Sequence, residues 1–234
     1  MRDTVFISGL YSGPSPSAGL GVARSLRAAF PSARLVGVDY WAGSSGLHHE
    51  VFDATWLKPP WDLIEEDLYA KEVQAELDQG ALWIPTLDLE VAWLARMMAP
   101  HPLLLAPCDK ALAPSRKPRP SVAELLPFEM APSLDLSASD EEIYAFCRAH
   151  SWRVWIKGPY HEAVAVGDWR QLEHVRTSMK DGWQTDRLSV QVHVRGYEES
   201  VCLAAYDGRL CDALYMRKRI TTPEGKTWAG RVGE

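Results

Sequence analysis

No apolar run in this sequence approaches the roughly 20 residues needed to cross a bilayer, so no spanning helix and no membrane partner are expected. The opening segment, MRDTVFISGLYSG, has too short an apolar stretch and reaches glycine too soon to read as a secretory leader. Cysteine is scarce: four residues, at 108, 147, 202 and 211, with no C-x-x-C pair. Seven scattered histidines add no zinc-ligand spacing, so no metal ligand is assigned. At 234 residues the chain is too long for a disulfide mini-scaffold, and its cysteines read as thiols in a reducing, cytoplasmic compartment. Positive charge is not in excess either. A net charge of −6 argues against a general nucleic-acid binder. There is no G-x-x-x-x-G-K-[ST] phosphate loop and no Ser/His/Asp order of hydrolase type.

What is present supports a substantial core. The 47% hydrophobic content suffices for one large domain or two modest ones. Charge is unevenly spread. Residues 50–90 carry eleven acids against two lysines, a local −9, which leaves about +3 for the remainder out of the total of −6. A mildly basic remainder suits a small polyanion such as a nucleotide, while the acidic run over 62–78 reads more simply as a solvated helix face. The ten tryptophans suggest no particular function.

Along the first half, short apolar runs alternate with helical periodicity. TVFIS (4–8), RLVGVD (34–39), ALWIP (81–85) and PLLLA (102–106) read as strands. VARSLRAAF, with Leu20, Ala23, Leu26 and Phe30 on one side, reads as a helix, as do 61–78 and 87–98. Continuously apolar strands alternating with helices imply a parallel sheet covered on both faces. This half, residues 1–107, is taken as one α/β domain. The stretch APSRKPRPS (113–121) reads as a linker or surface loop. The second half, 108–234, reads as α+β. It has helices over 138–150, capped by Ser137 or Ser139, and over 168–180. Its strands are 152–157, 188–194, 200–206 and 209–216, the last two joined by Asp207-Gly208, a hairpin signal.

Five stretches could carry chemistry, and each has a plain alternative. Gly9, Gly13, Gly19 and Gly21 lie between a strand and a helix, where backbone N–H groups can hold phosphate, and Asp39 ends the next strand as a ribose ligand would. The spacing breaks the G-x-G-x-x-G pattern, which favours a structural turn and a strand-end acid. Lys110, after PLLLA, is either a ligand-facing or a surface lysine. Lys157 closes an apolar strand and precedes Gly158, so its ammonium suits a phosphate oxygen or lies at the surface. In QVHVRGYEESV, Gln191, the backbone at Val194 and Glu198 are spaced to address an adenine amino group, its ring nitrogen and a ribose, or are ordinary strand-end groups. Arg217, Lys218 and Arg219 form a cluster that either meets a phosphate or carboxylate or is a generic basic run.

Taken in order, SGLYSGPSPSAGLGVARSLR, VGVD, IPTLDLEVAWLA, APCDKAL, WIKGP, the run Gln191–Glu198 and EGKTWAG resemble the ATP-grasp superfamily, in its carbamoyl-phosphate synthase and biotin carboxylase-like branch. The resemblance covers nearly the whole chain through the ordered set rather than through any single motif. It implies a Rossmann-like pre-ATP-grasp domain over 1–107. An α+β ATP-grasp domain would follow over 108–234, comprising the N-terminal lobe and the start of the C-terminal lobe. By the same resemblance Lys110 and Lys157 would contact the phosphates of ATP, Gln191 the adenine amino group, Val194 the ring through its main chain, and Glu198 the ribose. Arg217 or Lys218 would approach the γ-phosphate or an acyl-phosphate as the catalytic cation. ATP and Mg²⁺ are the implied cofactors, and a small carboxylate and an amine the implied substrates.

Two departures qualify this. The phosphate loop GPYHEA holds one glycine where the family has several. The family's late acidic residues and Asn that hold Mg²⁺ are not found, and roughly a quarter or more of the ATP domain is expected to be missing. The expected activity is therefore an ATP-dependent ligase working through an acyl-phosphate, or part of one. The alternative is a non-catalytic nucleotide-binding or assembly subunit, either a homo-oligomer or completed by a second polypeptide. An NAD-dependent oxidoreductase is disfavoured by the broken glycine pattern.

Overall fold

The fold is described from a computed structural model over residues 4–12, 16–60, 63–107, 129–158, 163–183, 186–221 and 227–233. The chain divides into two compact units, Met1–Ala113 and Pro114–Glu234.

The first unit runs β1 (Thr4–Ser8), α1 (Ala18–Ala29), β2 (Arg34–Asp39), a 3₁₀ turn (Ser45–His48), β3 (Ala54–Leu57), α2 (Glu66–Asp78), β4 (Leu82–Ile84) and α3 (Asp88–Met97). Its four strands are parallel in the order β3-β2-β1-β4. β1 and β2 are apolar at successive positions because both faces are covered. Phe6, Val36 and Val38 pack with Tyr69, Val73 and Leu77 of α2 and with Trp93 and Leu94 of α3. Val5, Ile7 and Leu35 pack on the other side with Ala23 of α1 and with Leu10 and Leu47. Each such side chain, fully buried, contributes on the order of 1.5–3 kcal/mol.

Tyr69, Val73 and Leu77 are spaced by four, so α2 buries one stripe and leaves Asp67 and Asp78 exposed. The acidic run is therefore a helix face, with Glu72 paired to Lys58 at 2.5 Å. Several tryptophans find a structural role here: Trp83 stacks on Phe6 at 4.9 Å, Trp56 lies 4.7 Å from the same ring, and Trp93 meets Tyr69.

Three features differ from the sequence expectation. PLLLA forms no strand; Leu104 makes a single parallel bridge to Trp83 before the pairing ends. Phe30 is exposed, because it is the C-cap of α1 and has left the helical stripe. β3 alternates half-buried and exposed residues at a sheet edge and carries no continuous apolar signal.

The second unit opens with β5 (Ser133–Asp135), α4 (Asp140–Ala149), β6 (Val154–Lys157), β7 (Ala163–Val166), α5 (Trp169–Trp183) and β8 (Ser189–Val192). The strands are antiparallel in the order β5-β8-β6-β7. Val154, Ile156 and Val190 pack against Ile143 and Cys147 of α4 and Leu172 and Met179 of α5. Of the two candidate caps, Ser139 is the one used. It accepts from the Glu142 backbone N–H while Glu142 accepts from the Ser139 N–H.

A three-stranded antiparallel sheet follows: β9 (Glu199–Tyr206), β10 (Arg209–Thr221) and β11 (Thr227–Val232), ordered β11-β10-β9. Asp207 and Gly208 both adopt positive φ, 49° and 70°, as the expected two-residue hairpin requires. Val201, Leu203, Tyr206, Leu210 and Leu214 are all exposed. Since residues alternate sides along a strand, both faces of this sheet carry uncovered apolar groups.

Candidate functional site

The antiparallel sheet of the second unit has one packed face and one polar face. Ile156 and Val190 are cross-strand partners on the packed side. Lys157 pairs with Ser189, and Trp155 with Gln191, so all four lie on the opposite side, where Gln191 also neighbours Ser133. Lys157 and Gln191 are thus diagonal neighbours, about 7–8 Å apart by strand geometry. Gln191 is oriented by donating from Nε2 to Ser133 Oγ at 3.0 Å, which leaves its carbonyl oxygen available as an acceptor. Trp155 Nε1 donates to His193 Nδ1 at 2.9 Å on the same side. Beyond Val192 the ladder ends, and Val194 is 66% exposed. The segment then crosses to Glu198, at the mouth of β9. Gly13, Lys110 and the loop residues His161 and Glu162 lie outside the described residues.

The cations of β10 separate by strand alternation. Lys218 pairs with Glu198. Arg217, on the other side, pairs with Glu199 at 2.7 Å and lies 4.9 Å from the centre of the Tyr197 ring. Glu198 is 58% exposed, and Lys218 Nζ is its hydrogen-bond partner. Hydrogen bonds from Tyr215 and Arg217 hold the Glu199 carboxyl below its usual range. Sequence reasoning grouped Arg217 and Lys218 and could not choose between them. The two-residue period of a strand separates them.

On Arg217's side an open cavity of about 140 Å³ is lined by Tyr215, Arg217, Arg219, Arg231 and Gly233. Arg231 is the cross-strand partner of Arg217. Arg219 enters through a bulge: between Lys218–Gly230 and Ile220–Ala229, β10 advances two residues and β11 one. Tyr215 and Arg231 were not singled out from the sequence. Alternation of Tyr215, Arg217 and Arg219 along one strand was the available signal for part of the group.

In the first unit the glycine-rich turn is spent on structure. Ser17 Oγ donates to Gly9 O at 2.8 Å and accepts from Leu20 N, and Gly19 N donates to Gly9 O. A Cβ at Gly19 would lie 2.1 Å from Ser8 O, so glycine there lets α1 approach β1. Asp39 is buried and accepts from Leu10 N, Tyr40 N and Ser44 Oγ at 2.7–3.0 Å. Its oxygens hold the loop together, which leaves the strand-end reading in place of a ribose ligand.

One group had no sequence signal. Glu90, in the first turn of α3, is fully buried and accepts from Tyr69 Oη at 3.0 Å and Trp83 Nε1 at 3.2 Å, while Oε2 has no partner. Burial pushes its carboxyl up, and it likewise raises the neighbouring Tyr40 and Tyr69 hydroxyls. Among the described residues no three His, Cys, Asp or Glu side chains come together as a metal cage, and no helix is long and apolar enough to cross a membrane.

Comparison with solved structures identifies the fold. The biotin carboxylase domain of 2-oxoglutarate carboxylase from Hydrogenobacter thermophilus, in complex with MgADP, ADP and bicarbonate, matches with a TM-score of 0.60 and 14% identity. That match covers 97% of this chain and 52% of the other. N5-carboxyaminoimidazole synthetase from Staphylococcus aureus, complexed with ADP, matches at TM-score 0.57 and 12% identity over 94% and 56% of the respective chains. L-amino acid ligase from Bacillus licheniformis matches at 0.59 and 11% identity over 93% and 50%. These are ATP-grasp enzymes, and the chain shares their fold over about half of their length. No protein-family model matches the chain, and no curated protein does.

Proposed function

We propose that this chain binds ATP in the manner of the ATP-grasp carboxylate–amine ligases and forms all or part of such an enzyme. The observation that carries the reading is the polar face bearing Lys157 and Gln191, from which the chain runs directly to Glu198. Lysine supplies a mobile point charge for phosphate oxygens, and a glutamine carbonyl oxygen accepts from an adenine amino group. The exposed backbone at Val194 is available for the base, and Glu198 for the ribose once it exchanges Lys218 for hydroxyl donors. Lys110 would add a second phosphate contact. In this reading residues 1–107 are the Rossmann-like leading domain and 108–234 the ATP-grasp part.

The reaction that this reading entails runs through an acyl-phosphate. A substrate carboxylate oxygen attacks the γ-phosphorus, the bond to the bridging oxygen breaks, and ADP leaves. An amine then attacks the acyl-phosphate carbon, phosphate departs, and the nitrogen loses a proton. Phosphoryl transfer of this kind depends on positioning and charge neutralisation. On its own sheet, Arg217 or Lys218 would neutralise charge on the transferring group. Mg²⁺ accompanies ADP in one of the matched structures. The described residues offer no metal cage here, so no step is assigned to it.

The test is nucleotide preference. Thermal unfolding with ATP, ADP and NAD should show stabilisation by the adenosine phosphates, about 2.7 kcal/mol at a hundredfold excess over Kd. Lys157→Ala and Glu198→Ala should each reduce that shift. Equal stabilisation of wild type and both variants would overturn the reading, as would a response to NAD alone.

A further inference from the structure

We propose that Ser133 sets the base selectivity of this site. It fixes the Gln191 amide with the carbonyl oxygen outward, so that the site takes a base with an exocyclic amino group and rejects one with an oxygen in its place. The inference rests on the nucleotide reading above and names the base chemistry within it.

A glutamine side chain has an acceptor at one end of its amide and a donor at the other, and the two ends are nearly alike in shape. A glutamate at position 191 would present an acceptor whichever way it turned. Glutamine reads a base only if a neighbour decides which end faces outward, because the two orientations select opposite ligands. Ser133 decides it. Its hydroxyl has one proton, which it donates to the Ala131 carbonyl oxygen at 2.9 Å, a group that can only accept. Ser133 Oγ is left with lone pairs alone, so only the NH₂ group of Gln191 can meet it, as it does at 3.0 Å. The polarity runs one way, from Gln191 through Ser133 to Ala131, and the amide oxygen stands at the outer end.

Strand register holds this relay in place. Ser133 of β5 and Gln191 of β8 are direct cross-strand partners on the polar face, and both are half-buried. On the other flank of Gln191, Trp155 is the cross-strand partner. Its indole has a single N–H, which donates to His193 Nδ1 at 2.9 Å and so leaves the Gln191 oxygen alone. Among the described residues no group donates to that oxygen. A half-buried carbonyl oxygen without a donor favours a ligand that brings an N–H. An exocyclic amino group brings one, whereas an oxygen in the same place sets two acceptors face to face.

The experiment measures, by calorimetry on the full chain, the affinity for ATP and for the analogue of ATP in which methoxy replaces the amino group of the base. The two ligands share the triphosphate and every ring nitrogen, and differ in donating or accepting where they meet Gln191. Wild type should prefer ATP by about tenfold, the difference between a hydrogen bond made and two acceptors opposed. Ser133→Ala lets the amide turn, and should cut that preference to about threefold or less while ATP still binds. Adding Gln191→Glu to Ser133→Ala restores an acceptor in either orientation and should bring the preference back. A serine that only stabilised its strand would shift both affinities together, and Gln191→Glu would not rescue it. An undiminished preference in Ser133→Ala, or no recovery in the double variant, overturns the proposal. ATP binding that falls with Lys157→Ala but shows no preference over the methoxy analogue in wild type removes this proposal and leaves the nucleotide reading standing. Wild type that binds neither ligand removes both.

Discussion

Replacing Glu90 by glutamine should change how stability responds to pH rather than stability at every pH. Burial raises the Glu90 carboxyl above its unfolded value, so the folded protein binds a proton that the unfolded chain releases. Stability from this group is complete below the unfolded carboxylate range. It falls as pH rises from there towards the folded pKa, by about 1.4 kcal/mol per pH unit inside that window. Against a total stability of about 5–15 kcal/mol, such a slope is measurable. Glutamine keeps an oxygen to accept from Tyr69 and Trp83, and its amide takes the place of Oε2, which has no partner already. The two proteins should therefore be nearly equally stable in acid, and the variant should gain on the wild type as pH rises through the window between the unfolded and folded pKa. Urea unfolding from about pH 4 to pH 8 measures this. Parallel stability curves for the wild type and the Glu90→Gln variant would refute the argument. Glu90→Leu gives a second check: it leaves Trp83 Nε1–H without its acceptor and should cost about 1–3 kcal/mol with no such slope.

Gly19→Ala should destabilise the first unit by about 1–3 kcal/mol, since the new methyl falls 2.1 Å from a backbone oxygen; an unchanged urea midpoint would show that α1 is free to shift. Ser139→Ala removes both the hydroxyl cap and its partner for Glu142 and should cost about 1 kcal/mol, read by thermal unfolding; no change would mean that the α4 cap is not stabilising. Burial pushes the Cys147 thiol up to about 11, so alkylation near neutral pH should label exposed Cys202 and Cys211 and reach Cys147 only after unfolding. Fast labelling of Cys147 in the native protein, followed by mass spectrometry of its peptide, would contradict the packing of α4.

Where both sides of an element are buried, or one stripe of a helix is, the residues announced it: β1, β2, α2 and the Asp207-Gly208 hairpin are plain in the pattern. Edges were less readable. β3 and β5 are short and half-buried, so neither periodicity nor apolar content marks them. PLLLA has the content of a strand, but Leu104 alone pairs with Trp83. Glu90 was counted only as one of the eleven acids between residues 50 and 90. Its burial depends on Tyr69 and Trp83, brought over it from other elements, and no local pattern carries that information. Candidate site residues were identified as types on strand ends, yet their sides could be assigned only once register was known. Gln191 joins Lys157 because Trp155 and Ser189 fix the pairing. Arg217 parts from Lys218 for the same reason, each with its own carboxylate.

The uncovered β9–β11 sheet gives that register a chemical meaning. Strand pairing is pinned most firmly where one face is sealed from water, and here both faces leave apolar groups bare. A slide of β10 by one position would exchange the guanidinium side for the ammonium side and move the kink at Arg219 off its hollow. Anything that covered one of these faces would therefore fix the register of β10 and, with it, the side on which each of its cations stands.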